Sequence, residues 1–255
     1  MLPRVIDLHA HILPGIDDGV RDLGEAVELA RSAVADGVEA LAATPHVRAD
    51  YPTAAATMER GLAELRARLE AEEVPLRLLP GGELALEETA ALPEDELRRF
   101  GLGGSRRYVL VEFPYYGWPL ALEQVLHRLA SLGLAAVVAH PERNESVQER
   151  PDRLDVALEL GALVQVTCAS LDGRIGRHAQ RCGHALVRTG RAHLIASDAH
   201  APGVREVGMS GAAQAVGGGA LAEWLTRAVP AAVVAGEPPP PRPSVRRRRL
   251  PWARA

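Results

Sequence analysis

His9 and His11 sit two residues apart at the end of an apolar run that begins Val5-Ile6-Asp7-Leu8. On a strand that spacing turns both imidazoles to one face, and two imidazoles at the end of a strand make half of a metal site. The pair alone reads equally well as one core and one solvated histidine. Later segments repeat the arrangement. Apolar runs over 38–43, 76–79, 108–111, 134–139 and 193–196 lead into His46, Glu83, Glu112, His140 and Asp198, with His200 two residues beyond Asp198. The Asp198–His200 spacing mirrors His9–His11. Asp17 and Asp18 fall in a loop marked by Pro14, Gly15 and Gly19. Directly after two histidines they are expected to ligate rather than merely to solubilise the loop, and spacing does not choose between them.

A carboxylate such as Glu112 beside the apolar run Tyr108-Val109-Leu110-Val111 is costly to bury unless it is paired or metal-bound. The whole set is too large for one zinc ion, which takes about four ligands. It fits two or three divalent ions with a carboxylate bridging them, and its hard and borderline donors suit Mn²⁺, Fe or Zn²⁺. Ion clusters of this kind activate water and clamp the oxygens of a phosphate ester. His127, His178, His184 and His193 lack the strand-end setting and are left outside the candidate site.

The elements that must position these residues alternate. Asp22 followed by Glu25 resembles a capping box opening a helix that runs to Gly37. Helical patterns follow over 53–73, 119–132, 152–160, 178–189 and 220–228, and 230–235 closes the fold. Strands alternating with helices call for a parallel sheet, and about seven such units suggest a barrel. In α/β barrels the carboxyl ends of the strands carry the chemistry, which is where the ligand-type residues fall.

Composition narrows the function classes. Aromatic residues make up only 4% of the 255, so the core must be built from Ala, Leu and Val. Of the total charge of −4, the segment from Gly236 contributes +5, leaving −9 on the body. An acidic body with a ligand-rich centre suits cations better than nucleic acid. No apolar run is long enough to span a bilayer, and no signal peptide is evident. Cys168 and Cys182 imply no disulfide, a reducing cytoplasm is the expected setting, and neither thiol is expected to act as a nucleophile. Residues 236–255, with Pro238-Pro239-Pro240-Pro241 and Arg246-Arg247-Arg248-Arg249, read as a disordered tail. A solvated extension is preferred there over a contact with a membrane surface or nucleic acid.

The motifs Asp7-Leu8-His9-Ala10-His11, Thr44-Pro45-His46, Gly82-Glu83, Glu112, His140-Pro141-Glu142-Arg143 and Ser197-Asp198-Ala199-His200 resemble the polymerase-and-histidinol-phosphatase (PHP) superfamily. Asp17-Asp18-Gly19 and the Glu-Arg after His140 are most similar to its branch of bacterial manganese-dependent protein-tyrosine phosphatases of capsule and exopolysaccharide operons. The resemblance implies a distorted seven-stranded (β/α) barrel over residues 1–235 with a trinuclear site. His9, His11, Glu83 and Asp198 would hold one ion, and Glu83 would bridge to a second held by Glu112 and His140. Asp17 or Asp18, His46 and His200 would hold the third, and Arg143 and Arg205 would contact the phosphate. It also implies Mn²⁺ as cofactor, a metal-activated water, and phosphotyrosine on a bacterial tyrosine kinase as substrate. The alternatives are a small phosphate monoester such as histidinol phosphate, a phosphodiester, or a metal-stabilised binding module without turnover.

Overall fold

The computed structural model describes residues 5–201 and 205–244; the Arg246–Arg249 run lies outside them. The chain is a mixed α/β fold, with ten strands in two sheets among the described residues. The strands are β1 (Val5–Ala10), β2 (Val38–Ala43), β3 (His46–Arg48), β4 (Tyr51–Pro52) and β5 (Arg77–Leu79). They continue with β6 (Glu83–Leu84), β7 (Tyr108–Glu112), β8 (Ala135–Ala139), β9 (Leu163–Thr167) and β10 (Leu194–Ala196). The smaller sheet runs β1-β2-β5 and the larger β10-β9-β8-β7-β6-β3-β4. Among the described residues, every pairing between these strands is parallel except the β3–β4 hairpin.

The division into two sheets has a local cause. Proline removes a ladder donor, and Thr44-Pro45 separates β2 from β3 while Pro80-Gly81-Gly82 separates β5 from β6. Each pair is one path through the fold, broken where a site residue is presented. At the far edge, an Ala10–Ala199 bridge brings the end of β1 beside the segment after β10. His11 N donates to Ala199 O at 2.8 Å and Asp198 N to His9 O at 2.8 Å.

The helices lie largely where the sequence places them. Asp22 caps Leu23–Ala35 by accepting from Glu25 N, while the Glu25 carboxylate turns back to Arg21 N. Ala55–Ala71 buries Met58, Leu62, Leu65 and Leu69 as one stripe. The 119–132 prediction shortens to Leu122–Ser131, and 152–160 divides into a 3₁₀ turn, Pro151–Leu154, and Asp155–Glu159. Two short helices, Leu86–Ala91 and Glu94–Arg99, occupy a stretch with no clear periodicity. A single core of mostly Ala, Leu and Val lies between helices and sheets.

Residues 236–244, read as the start of a disordered tail, are pinned to the body at three points. Glu237 O accepts from Tyr108 Oη, Pro240 O from Trp224 Nε1, and Arg242 donates to Val187 O. The buried Tyr108 and Trp224 each needed a partner for a polar tip, and the descending chain supplies it.

Candidate metal centre

The strand ends converge as the periodicity demands. β1 supplies His9 and, one residue past its end, His11; β3 begins with His46, β6 with Glu83, and β7 ends in Glu112. His140 follows β8 directly, and Asp198 and His200 follow β10. These side chains form overlapping groups whose donor atoms lie within 4.8 Å of one another: His11, Asp18, His46 and His200; His9, Glu83 and His140; His9, His11 and Asp198; His46, Glu83 and Glu112.

Glu83 is the hub. Its Oε1 lies 2.7 Å from His140 Nε2. Its Oε2 lies 3.3 Å from the Nε2 atoms of both His9 and His11, and 3.0 Å from His46 Nδ1. Gly82 lets the backbone reach this position, because a Cβ there would stand 2.5 Å from the ring of Phe100. Gly19 does the same for the Asp17-Asp18 loop, where a Cβ would meet His11 O at 2.2 Å. Two of the three non-glycine residues with positive φ among the described residues are His140 (34°) and Asp198 (54°). Strain of this kind, about 1–3 kcal/mol per residue, persists where the surroundings over-determine the backbone and concentrates at functional sites.

The two neighbouring aspartates part company. Asp17 Oδ2 accepts from His11 Nδ1 at 2.6 Å and from His46 N at 2.9 Å, and its Oδ1 accepts from Gly19 N. Asp18 Oδ1 instead faces the Nε2 atoms of His46 and His200 at 3.3 and 3.4 Å. Arg143 and Arg205 both donate to Asp198 Oδ2, at 2.8 and 3.0 Å. Asp198 Oδ1 stays toward the Nε2 atoms of His9 and His11, 3.4 Å from each.

Several supporting residues carry no sequence signal of the strand-end kind. Gln165 Oε1 accepts from His140 N and from His9 Nδ1, each at 3.2 Å. Arg48 donates to Glu112 at 3.1 Å, and Tyr115 lies beneath the Arg143 guanidinium. Asp7 accepts from Ser197 N, and Glu142 from Thr167 N and Ser170 Oγ, tying the loops after β10 and β8 to their neighbours. A glutamine inside the otherwise apolar stretch Leu163-Val164-Gln165-Val166 was the one available clue, since a buried amide needs partners.

The charges fit cations. The His140 N–H identifies the shared Gln165 atom as the amide oxygen, which can only accept, so His9 carries its proton on Nδ1, and Asp17 likewise holds the proton of His11 on Nδ1. The two Nε2 lone pairs then face each other at 3.3 Å, beside Glu83 Oε2 and Asp198 Oδ1. Only acceptors meet there, so the arrangement calls for a cation or for extra protons. Among buried atoms, His46 Nδ1, Glu83 Oε2, His140 Nδ1 and His200 Nε2 have no hydrogen-bond partner, against the rule that buried polar atoms are bonded.

The protonation tendencies show the same excess of negative charge. Burial pushes Glu83 up, but His9, His11, His140 and His46 outweigh it and hold the carboxyl well below its usual range. Burial and the Glu83 charge together raise Glu112. The imidazoles of His200 and His46 facing its carboxylate hold Asp18 far down. Burial lowers His46, but Asp18 and Glu83 lift it to about 9. Burial leaves His140 and His200 below the ordinary imidazole value, in the neutral form a metal ligand requires.

Spacing does not by itself exclude thiol chemistry, since Arg174 and Arg188 stand six residues after Cys168 and Cys182, the Cys-x5-Arg pattern of thiol phosphatases. The structure argues against it. A nucleophilic cysteine needs a lowered pKa and access. Cys168 is fully buried against Met209, with its thiol pushed well up by burial. Burial also raises the Cys182 thiol, to about 12.

Fold and donor set together define the class: an α/β protein built around a cluster of potential metal ligands gathered at the ends of its parallel strands. The model of a family described as capsular polysaccharide synthesis, CpsB/CapC, matches residues 5–225, and the chain belongs to that family. It is 37% identical over 198 residues to the tyrosine-protein phosphatase YwqE of Bacillus subtilis, covering 77% of each chain. It is 32% identical over 197 residues to the putative tyrosine-protein phosphatase CapC of Staphylococcus aureus, again covering 77% of each. A solved structure from work on YwqE of Bacillus subtilis and CpsB of Streptococcus pneumoniae, described as unique metal-dependent tyrosine phosphatases, superimposes with a TM-score of 0.83. Identity there is 33%, over 94% of this chain and 100% of that one. The phosphotriesterase homology protein of Escherichia coli, at 12% identity and a TM-score of 0.51, is alike in fold alone.

Proposed function

We propose that the chain is a metal-dependent tyrosine-protein phosphatase. The observation that carries this reading is the meeting of acceptors at the centre: the His9 and His11 Nε2 atoms lie 3.3 Å from each other, 3.3 Å from Glu83 Oε2 and 3.4 Å from Asp198 Oδ1, with the imidazole protons engaged on Nδ1. Names borne by the family relatives supply the substrate class. The strand order, with β1 bridged to the segment after β10, is read as a distorted seven-stranded barrel with β2–β3 and β5–β6 each counted as one broken strand and the hairpin arm β4 left outside it.

In this reading His9, His11, Glu83 and Asp198 would hold one ion, Glu83 would be shared with a second held by Glu112 and His140, and Asp18, His46 and His200 would hold a third. Asp17 orients His11 and is not itself a ligand. Mn²⁺ is the proposed metal. Divalent ions held there activate water and neutralise charge on the phosphate oxygens. Arg143 and Arg205, anchored on Asp198, orient the phosphate through their remaining N–H groups and stabilise charge as it develops. Phenolate is a good enough leaving group that no dedicated general acid is required. The proposed substrate is a tyrosine-phosphorylated protein, a bacterial tyrosine kinase of polysaccharide export, met in the cytoplasm. The two unpaired cysteines are in keeping with that setting, and no helix among the described residues is long and apolar enough to cross a membrane.

The test is turnover of p-nitrophenyl phosphate and of a phosphotyrosine peptide after chelation and Mn²⁺ add-back. Loss on chelation and recovery on add-back are expected, and activity indifferent to chelators rejects the reading.

A further inference from the structure

Arg143 does more than reach Asp198: its other side forms one wall of a cleft of 590 Å³. Tyr115 stands between centre and cleft, its ring 4.6 Å beneath the Arg143 guanidinium and 6.0 Å from the ring of His140. Tyr116, Ile175, Arg177 and His178 also line the cleft. The exposed large apolar side chains among the described residues are Tyr115, Tyr116, Leu120 and Ile175, and three of those four line this cleft. Such concentration marks a binding surface rather than chance exposure. A second groove of 370 Å³ continues outward past His178 to Arg181. Arg177 and Arg181 form no ion pair among the described residues, whereas Arg143, Arg150, Arg174 and Arg191 each hold a carboxylate. Glu145 on the facing wall is turned to Gly117 N.

A small phosphate monoester would need the metal centre and nothing beyond Arg143. The cleft and its outer groove offer an aromatic platform, an aliphatic side chain and two unpaired cations, and the cleft shares Arg143 with the metal centre. We propose that it holds the polypeptide segment adjoining the phosphotyrosine, seating an apolar or aromatic side chain against Tyr116 and Ile175 and an acidic one against Arg177 and Arg181. The inference rests on the phosphatase reading above and adds a preference for substrate sequence to it. Aromatic side chains carry large contact area at low entropic cost and commonly dominate such recognition.

The experiment uses the full chain loaded with Mn²⁺ and three substrates: p-nitrophenyl phosphate, a phosphotyrosine peptide flanked by Glu and Phe, and the same peptide flanked by Lys and Ser. Tyr116→Ala and Arg177→Glu alter exposed side chains. Each is expected to lower the ratio of kcat/KM on the Glu/Phe peptide to that on p-nitrophenyl phosphate about tenfold, through KM, the size of a single well-placed contact. Fluorescence anisotropy with a labelled, non-hydrolysable phosphonate version of the peptide should show the same weakening. Wild-type protein that turns over both peptides equally, or ratios that do not move in the variants, overturns the cleft assignment while leaving phosphatase activity standing. A changed sedimentation mass for Tyr116→Ala with unmoved ratios gives the face to a second copy of the chain and overturns it too. Failure of the wild type on p-nitrophenyl phosphate overturns the phosphatase reading, and this inference with it.

Discussion

Asp17 Oδ2 lies 2.6 Å from His11 Nδ1, and this bond decides which nitrogen of His11 faces the centre. With the proton held on Nδ1, Nε2 presents a lone pair toward Glu83 and Asp198. Orienting partners of this sort fix ring tautomer and raise ligand basicity. Asp18, one residue on, points its carboxylate at the Nε2 atoms of His46 and His200. Neighbours in sequence thus have different settings: one is bonded to His11, the other faces His46 and His200.

Substituting the two separately should separate those roles. Asp18→Asn is expected to lower bound metal by one ion per chain, read by elemental analysis. Asp17→Asn is expected to keep the ion count at saturation but weaken affinity about 10–100-fold, read by competition with a chelator. If Asp17→Asn loses an ion and Asp18→Asn does not, the assignment is reversed.

Gln165 serves His9 and the loop after β8 together through a single oxygen. Gln165→Leu keeps the volume and removes both bonds. Metal affinity should fall about 10–100-fold, and the melting temperature of the metal-free protein should fall as well, because His140 N is left buried without an acceptor. A metal affinity equal to wild type would show that the amide only fills space.

Arg143 and Arg205 share one oxygen of Asp198. Removing either leaves the other to hold the carboxylate, so metal content should survive in both single variants. Loss of a preorganised donor at a developing charge costs about 10²–10³ in kcat, and that range is expected for Arg143→Ala. Arg143→Lys should recover little of it, since a point charge cannot contact Asp198 and phosphate with one planar fork. Near-full activity in Arg143→Lys would mean the charge alone matters.

Metal uptake should release protons. Without a cation, Glu83 and Asp198 outweigh burial and raise His9, Asp17 lifts His11 well above its ordinary value, and His46 stands at about 9. Ligation requires these imidazoles deprotonated. Affinity should therefore strengthen with rising pH up to about 9, as His46 loses its proton, and fall as pH drops. Calorimetry of Mn²⁺ binding in buffers of different ionisation enthalpy measures the release directly, and a heat independent of buffer at pH 7 contradicts the protonated cluster.

Much of this was legible in the order of residues. Strand ends with a histidine or carboxylate mark the positions where an α/β fold presents side chains, so His9, His11, His46, Glu83, Glu112, His140, Asp198 and His200 could be gathered before any coordinates. Partition between neighbours could not. Asp17 and Asp18 differ only in which way a loop folded over Gly19 turns them. The role of Gln165 depends on β8 and β9 lying side by side, a non-local fact. The path of 236–244 owes more to its bonds with Tyr108 and Trp224 than to local pattern. The cysteine–arginine spacings point the other way: a pattern was present, and burial empties it of chemistry.

His193 gives a pH prediction away from the metal ligands. Burial lowers its imidazole, a backbone bond at Arg191 raises it slightly, and Arg242 lowers it further. Its Nδ1 accepts from Val164 N, which only the neutral ring can do. A histidine whose folded pKa lies below the unfolded value near 6.5 binds its proton more readily in the unfolded chain. Its contribution is therefore fully present above that value and is lost as pH falls from there through the folded pKa. Urea midpoints at pH 7.5 and 5.5 test this in the wild type and in His193→Asn, which titrates nothing at that position. The fall between the two pH values should be smaller in the variant, with metal-site histidines contributing equally to both proteins. Equal falls would mean that His193 charges as easily folded as unfolded, and that Arg242 and burial do not confine it.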